Sequence, residues 1–121
     1  MAKVELDAHG LRVRMGAWER LGAFHADVDV PVRCLVGAAV VADVWPQLRG
    51  VRAPGTGLPG VIMLGTTRHD GVKDFCVVRR HGPGLVVELR QHEFARLLLS
   101  LEAGEATRLA TSIQTLLAGE S

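Results

Sequence analysis

Gly55, Gly57 and Gly60, in the stretch APGTGLPGVIMLGTT, spell G-x-G-x-x-G, a spacing that can cradle a pyrophosphate at the start of a helix. That chemistry needs a buried strand before the glycines and a helix after them. Here PQLRGVRAP precedes them, VIMLGTT follows with the character of a strand, and Pro59 interrupts the last two glycines. A nucleotide site is therefore not expected, and no Gly-Lys-Ser/Thr of a P-loop follows. Two readings remain. In one, prolines and glycines shape a long connection between sheets, with Gly55 and Gly57 free to take positive φ. In the other, backbone N–H groups form a nest for a small anion or an acidic peptide. Its residues would be Arg49, Arg52, Gly55, Thr56, Gly57 and Gly60.

Other reactive side chains are scattered. His9, His25, His69, His81 and His92 include no two that are three or four apart, and no H-E-x-x-H occurs. Cys34 and Cys76 have no C-x-x-C partner. His69, Asp70 and Cys76 flank one hairpin at a spacing that matches no zinc rule. Turn histidines and core thiols are expected, with no metal and no cofactor. A Cys76–His81 nucleophile pair is conceivable, but Cys76 lies among Phe75, Val77 and Val78, where burial makes a thiol inert. Ser100 alternates to the outer face of a strand, Ser112 falls mid-helix, and His92 beside Glu93 is adjacency rather than geometry. No catalytic residue is assigned. Arg68, Lys73, Arg79 and Arg80 flank one hairpin and suit either a patch for phosphate or anionic lipid, or plain solvated charge at strand ends.

The elements that must position these groups are mostly short strands. KVEL and LRVRM alternate apolar and charged residues across Asp7 and Gly10, predicting a hairpin with one wet face. AWERLGAF spaces Trp18, Leu21 and Phe24 as one helical turn or a continued strand. DVDVPV reads as a strand that is an edge or stops at Pro31. VGAAVVAD is apolar on both faces, predicting a central or covered strand, and VWPQLRG is a short turn carrying Trp45. VIMLGTT and FCVVRR are joined by Asp70-Gly71, a strong hairpin cue. HGPG turns the chain, LVVELR follows, and RLLLSL sets Leu97, Leu99 and Leu101 on one face. From Glu105 to Ala118 the period changes. Ala106, Leu109, Ala110, Ile113, Leu116 and Leu117 share one helical face, with Gly119 placed to cap the end.

Length and charge bound the rest. The 121 residues suit one domain with a real core. Formal charge is +1, so no dedicated nucleic-acid binder is expected. Early charges break any signal-peptide core, no apolar run could span a membrane, and reduced thiols fit a cytoplasmic protein. Asn and Tyr are absent and Lys occurs only at 3 and 73, a bias that suggests a GC-rich bacterial genome.

The strand order, with VRAPGTGLPGVIMLGTT, KDFCVV, LVVELRQHEFARLLLSLE and the terminal helix, resembles the small pleckstrin-homology-like proteins of actinobacteria. The resemblance implies a partly open antiparallel barrel of about seven strands over residues 3–101, capped by a helix over 104–118. It implies no enzyme activity. Eukaryotic relatives often bind inositol phosphates through a basic cluster in an early strand loop, and LDAHGL lacks the Lys and Arg for it. The expected function is a non-catalytic binding or assembly module. Its partner would be another protein or a second copy, since Leu98 and VGAAVV leave apolar sheet surface wanting a cover, which is either the terminal helix or another copy of the chain. The alternative is a barrel that binds a small molecule, an anion or a lipid headgroup near residues 49–60. An apolar cavity would favour that alternative, and a filled interior would favour the module. Peripheral membrane contact is not expected.

Overall fold

Val4 and Leu6 of β1 (Lys3–Asp7) turn to the same side as Leu11 and Val13 of β2 (Gly10–Arg14), leaving Lys3, Glu5, Arg12 and Arg14 on the wet face. The Asp7 carboxylate closes the turn by accepting the N–H groups of His9 and Gly10 at 2.8 and 3.2 Å. The computed structural model describes residues 3–23, 27–58 and 60–120, without the side chains of Trp18, residues 51–56 and Glu120.

AWERLGA forms a helix, α1 (Ala17–Ala23), turned differently from the apolar spacing. Leu21 is 74% exposed, whereas Glu19 and Ala23 are buried. Glu19 wins the inner position because its charge is met there. Its Oε1 accepts the Gly16 N–H at 2.9 Å, and its Oε2 accepts from Arg79 Nη2 at 3.4 Å. Phe24 lies outside the described residues, as does the side chain of Trp18.

Strand β3 (Val28–Pro31) pairs with β2 and ends at its proline, completing a three-stranded sheet ordered β1-β2-β3. The remaining strands are β4 (Leu35–Val41), β5 (Val51–Leu58), β6 (Ile62–His69), β7 (Val72–Arg79), β8 (Gly84–Leu89) and β9 (Arg96–Ser100). They form a six-stranded sheet ordered β4-β8-β9-β7-β6-β5. Asp70 and Gly71 take φ of 48° and 81°, the primed turn that the β6–β7 hairpin needs. The terminal helix, α2 (Ala103–Glu120), starts with the Glu102 carbonyl accepting from Ala106 N–H. It runs through Gly119, which is helical and does not cap it.

The expected mainly β chain with a C-terminal helix is thus present, as two sheets in an open arrangement. Three details differ from the barrel expectation. The described residues form nine strands, not about seven. One pair, β7 with β9, is parallel. The glycine stretch is itself strand β5 rather than a long loop, with its turn following Leu58 and Gly60 at φ 75°. The β7–β8 connection leaves a gap one strand wide, and β9 fills it by pairing antiparallel with β8.

One core joins both sheets and both helices. Leu11, Val13, Val28 and Val30 meet Leu35, Leu64, Phe75, Val77, Leu85, Val87, Leu97 and Leu99. Ala23 belongs to the same core, and Ala106, Leu109, Ala110 and Ile113 seal it from α2. Helix α2 packs on β4, β8 and β1. It therefore covers β4, which is an edge strand and not a central one.

The outer face of the large sheet carries a second, smaller core. Strands β4 and β5 are its opposite edges, so the chain between them must cross the whole face. Five inter-strand gaps span about 24 Å, within the roughly 30 Å reach of the intervening segment. Residues 42–50 form this strap, with a single 3-10 turn at Trp45–Gln47. Val44, Trp45 and Leu48 lie over Cys76, Val78 and Leu98. The apolar surface at Leu98 is thus covered by the chain's own strap, not by another molecule.

Candidate functional site

Alternation along β7 decides which side chains the strap meets. Phe75 and Val77 point inward, so Asp74, Cys76 and Val78 point outward beneath it. Asp74 has only 2% of its side chain exposed. Arg49, at the strap's end, donates Nε to Asp74 Oδ2 at 2.7 Å and Nη2 to Oδ1 at 3.0 Å. Arg96 of β9 donates Nε and Nη2 to Oδ2 at 3.2 and 3.1 Å, and Nη2 also reaches the Gln47 carbonyl at 2.7 Å. The hydrogen bond to Asp74 raises the Arg49 guanidinium above its ordinary value. Two arginines and a carboxylate thus clasp one end of the strap.

The other end is held by Asp43. Its carboxylate meets His81 Nδ1 at 2.6 Å and accepts the N–H groups of Gly82 and Trp45, both at 3.1 Å. The His81 contact, with these two N–H groups behind it, holds the carboxyl below its usual range. The His81 and Trp45 rings lie 5.8 Å apart.

Against this geometry the residues of the proposed anion site separate. Arg49 is committed to Asp74. Gly55 and Gly57 pair with Gly65 and Met63 of β6, so their backbone belongs to an edge strand. Gly60 sits in the turn beyond. The side chains of Arg52 and Thr56 lie outside the described residues. The basic hairpin set also divides. Arg68 and Lys73 face each other beside the β6–β7 turn, and Lys73 Nζ bonds Glu93 at 3.2 Å. Arg79 and Arg80 lie at the far end of β7, where Arg79 serves the buried Glu19.

The remaining candidates are engaged structurally. Cys34 and Cys76 are free thiols and both are buried. Burial pushes the Cys76 thiol up to about 12, and its side-chain neighbour is the Thr67 hydroxyl at 3.8 Å. The Ser100 hydroxyl accepts the Arg79 N–H at 2.8 Å and donates to the Arg79 carbonyl at 3.4 Å. His69 meets its neighbour Asp70 on the exposed turn, and His9 lines a shallow cleft with Glu5 and Asp29. His92 Nδ1 accepts the Phe94 N–H at 3.1 Å, which leaves Nε2 to donate to the Asp29 carbonyl at 3.0 Å. His25 lies outside the described residues.

Among the described residues the main openings are surface clefts. The largest, about 610 Å³, lies where β1 meets the start of α2, lined by Val4, Arg79, Pro83, Leu101 and Glu105 among others. A second of about 320 Å³ continues along the same two elements, beside Leu6, Thr111 and Leu116. Among the described residues no helix is long and apolar enough to cross a membrane. Compared with protein-family models, with curated proteins and with solved structures, the chain matched none.

Sequence reasoning missed Asp74, Arg96, Asp43 and Glu19 as organising charges. The signal was present for Asp74, a carboxylate on the same strand face as Cys76 and Val78. A charge among apolar neighbours implies a covered partner. Nothing in the spacing said that Arg49, 25 residues earlier, was that partner.

Proposed function

We propose that this protein is a non-catalytic assembly module whose partner is a protein surface. The filled interior supports the reading most directly. Phe75, Phe94, Leu85, Leu97, Leu99 and Ile113 are all buried where a ligand-binding barrel would hold its pocket. The exposed apolar side chains instead lie outside, with Leu21, Leu58 and Val36 each about half exposed or more. An anion near Arg49 would have to compete with Asp74 for the guanidinium.

Native mass spectrometry of protein purified gently from its host tests this. The expected spectrum shows a second protein chain, either another copy or a different one, bound in simple stoichiometry. A single chain carrying a stoichiometric small molecule would replace the module with the ligand-binding alternative.

A further inference from the structure

We infer that β1 is the surface through which two copies of this chain join, strand to antiparallel strand, about a two-fold axis at Glu5. The inference rests on the assembly reading above and names its partner and its face.

Among the described residues four strands are sheet edges: β1 and β3 in the small sheet, β4 and β5 in the large one. Exposed edges invite foreign pairing and are normally blunted. Strand β3 stops at Pro31, and His92 takes its Asp29 carbonyl. On β4, the Gln114 side chain donates to the Ala38 carbonyl at 3.0 Å. Strand β5 shifts register between Arg52 and Gly55, and Pro54 offers no N–H. Among the described residues nothing comparable guards β1, whose backbone is met by β2 alone.

The sequence of β1, Lys-Val-Glu-Leu-Asp, reverses its charge about the middle residue. Antiparallel pairing centred on Glu5 sets Lys3 of each copy opposite Asp7 of the other, and Val4 opposite Leu6. Opposite charges and apolar pairs are the favourable cross-strand combinations. The two Glu5 carboxylates approach at the axis, and each brings its own Arg14 at 3.3 Å. Shape agrees with charge. The two-fold brings Leu6 of one copy beside Val4 of the other, at the cleft of about 610 Å³. It brings the smaller Val4 beside Leu6, at the cleft of about 320 Å³. Two three-stranded sheets become one of six strands, and the contact closes at two copies because the same patch is used twice.

Light scattering of the full chain, without an N-terminal tag, from micromolar to millimolar concentration, tests the inference. The mass should rise from one chain to two. Lys3→Glu sets like charges opposite each other at both ends and should weaken association about tenfold. Glu5→Gln removes the repulsion at the axis and should strengthen it severalfold. Both positions are exposed, so melting curves taken at concentrations where single chains prevail should match the parent. Amide exchange at Val4 or Leu6 should slow as the dimer forms. A doubled mass that ignores both substitutions overturns the β1 assignment while leaving the assembly reading intact. A single-chain mass throughout overturns self-association, and native mass spectrometry then decides separately whether a different protein is the partner.

Discussion

Asp74 is the residue on which the outer face of the large sheet turns. Its carboxylate accepts four N–H donors from two arginines that arrive from different elements. Charges removed from water are tolerated only when so paired, and deleting one partner strands the others. Asp74→Ala should therefore cost about 3–5 kcal/mol, lowering the melting temperature by about 10 °C or more. Differential scanning fluorimetry checks this, and a loss no larger than that of an ordinary surface substitution would contradict the clasp. Arg49→Lys should also destabilise, since an ammonium cannot reproduce the bidentate contact. Cys76, beneath the strap, should resist a thiol reagent at pH 8 in the native protein. It should react only as fast as the protein opens, which timed labelling with and without denaturant would show.

At the scale of elements, the strap is the feature with the most direct energetic signature. Leu98 is fully buried beneath it, so Leu98→Ala should cost about 2–5 kcal/mol in chemical denaturation. A Leu98 left exposed on the single chain would make the change nearly neutral. At Gly84 the strap lies close on the sheet, and an added methyl there would meet both the Leu99 carbonyl and Val44. Gly84→Ala should lift the strap and destabilise accordingly. Local pattern made several elements legible. Alternation located β1, β2 and β3, Asp70-Gly71 located the β6–β7 hairpin, and the change of period located α2. What local pattern could not carry is pairing at a distance. Nothing in LVVEL or RLLLS says that β9 enters between β7 and β8. VWPQLRG does not announce that its ends must reach opposite edges of a sheet. In α1 the apolar spacing pointed to Leu21, whereas a carboxylate met by the nearby Gly16 N–H and the distant Arg79 took the inner position. Two settings in the expected anion site were likewise not legible: Gly55 and Gly57 lie within a paired strand, and Arg49 belongs to a charge pair invisible along the chain.

For the whole molecule, acid is the informative variable. Asp7 and Asp27 are held below their ordinary values by backbone N–H groups of His9 and Met15, and Asp43 by His81. Burial pushes Glu19 up, but the Gly16 N–H and the Arg79 guanidinium outweigh it, and its pKa is also lowered. Each carboxylate contributes stability that is full above its unfolded value and is lost as pH falls through the lowered folded one. Stability should therefore be flat through neutral pH and should fall only below about pH 4, as denaturant titrations at stepped pH would show. A steep loss between pH 5 and 7 would contradict this set of pairings.

The place of β9 has a consequence for how the chain is made. Strands β7 and β8 are synthesised first yet cannot touch each other, because the strand that belongs between them is still to come. In the folded sheet β9 alone joins two halves, β4 with β8 and β5-β6-β7, so until residues 96–100 leave the ribosome those halves lack the strand that links them. A nascent chain stalled before Arg96 should remain open to proteases. Release of one further strand then joins the halves in a single late step.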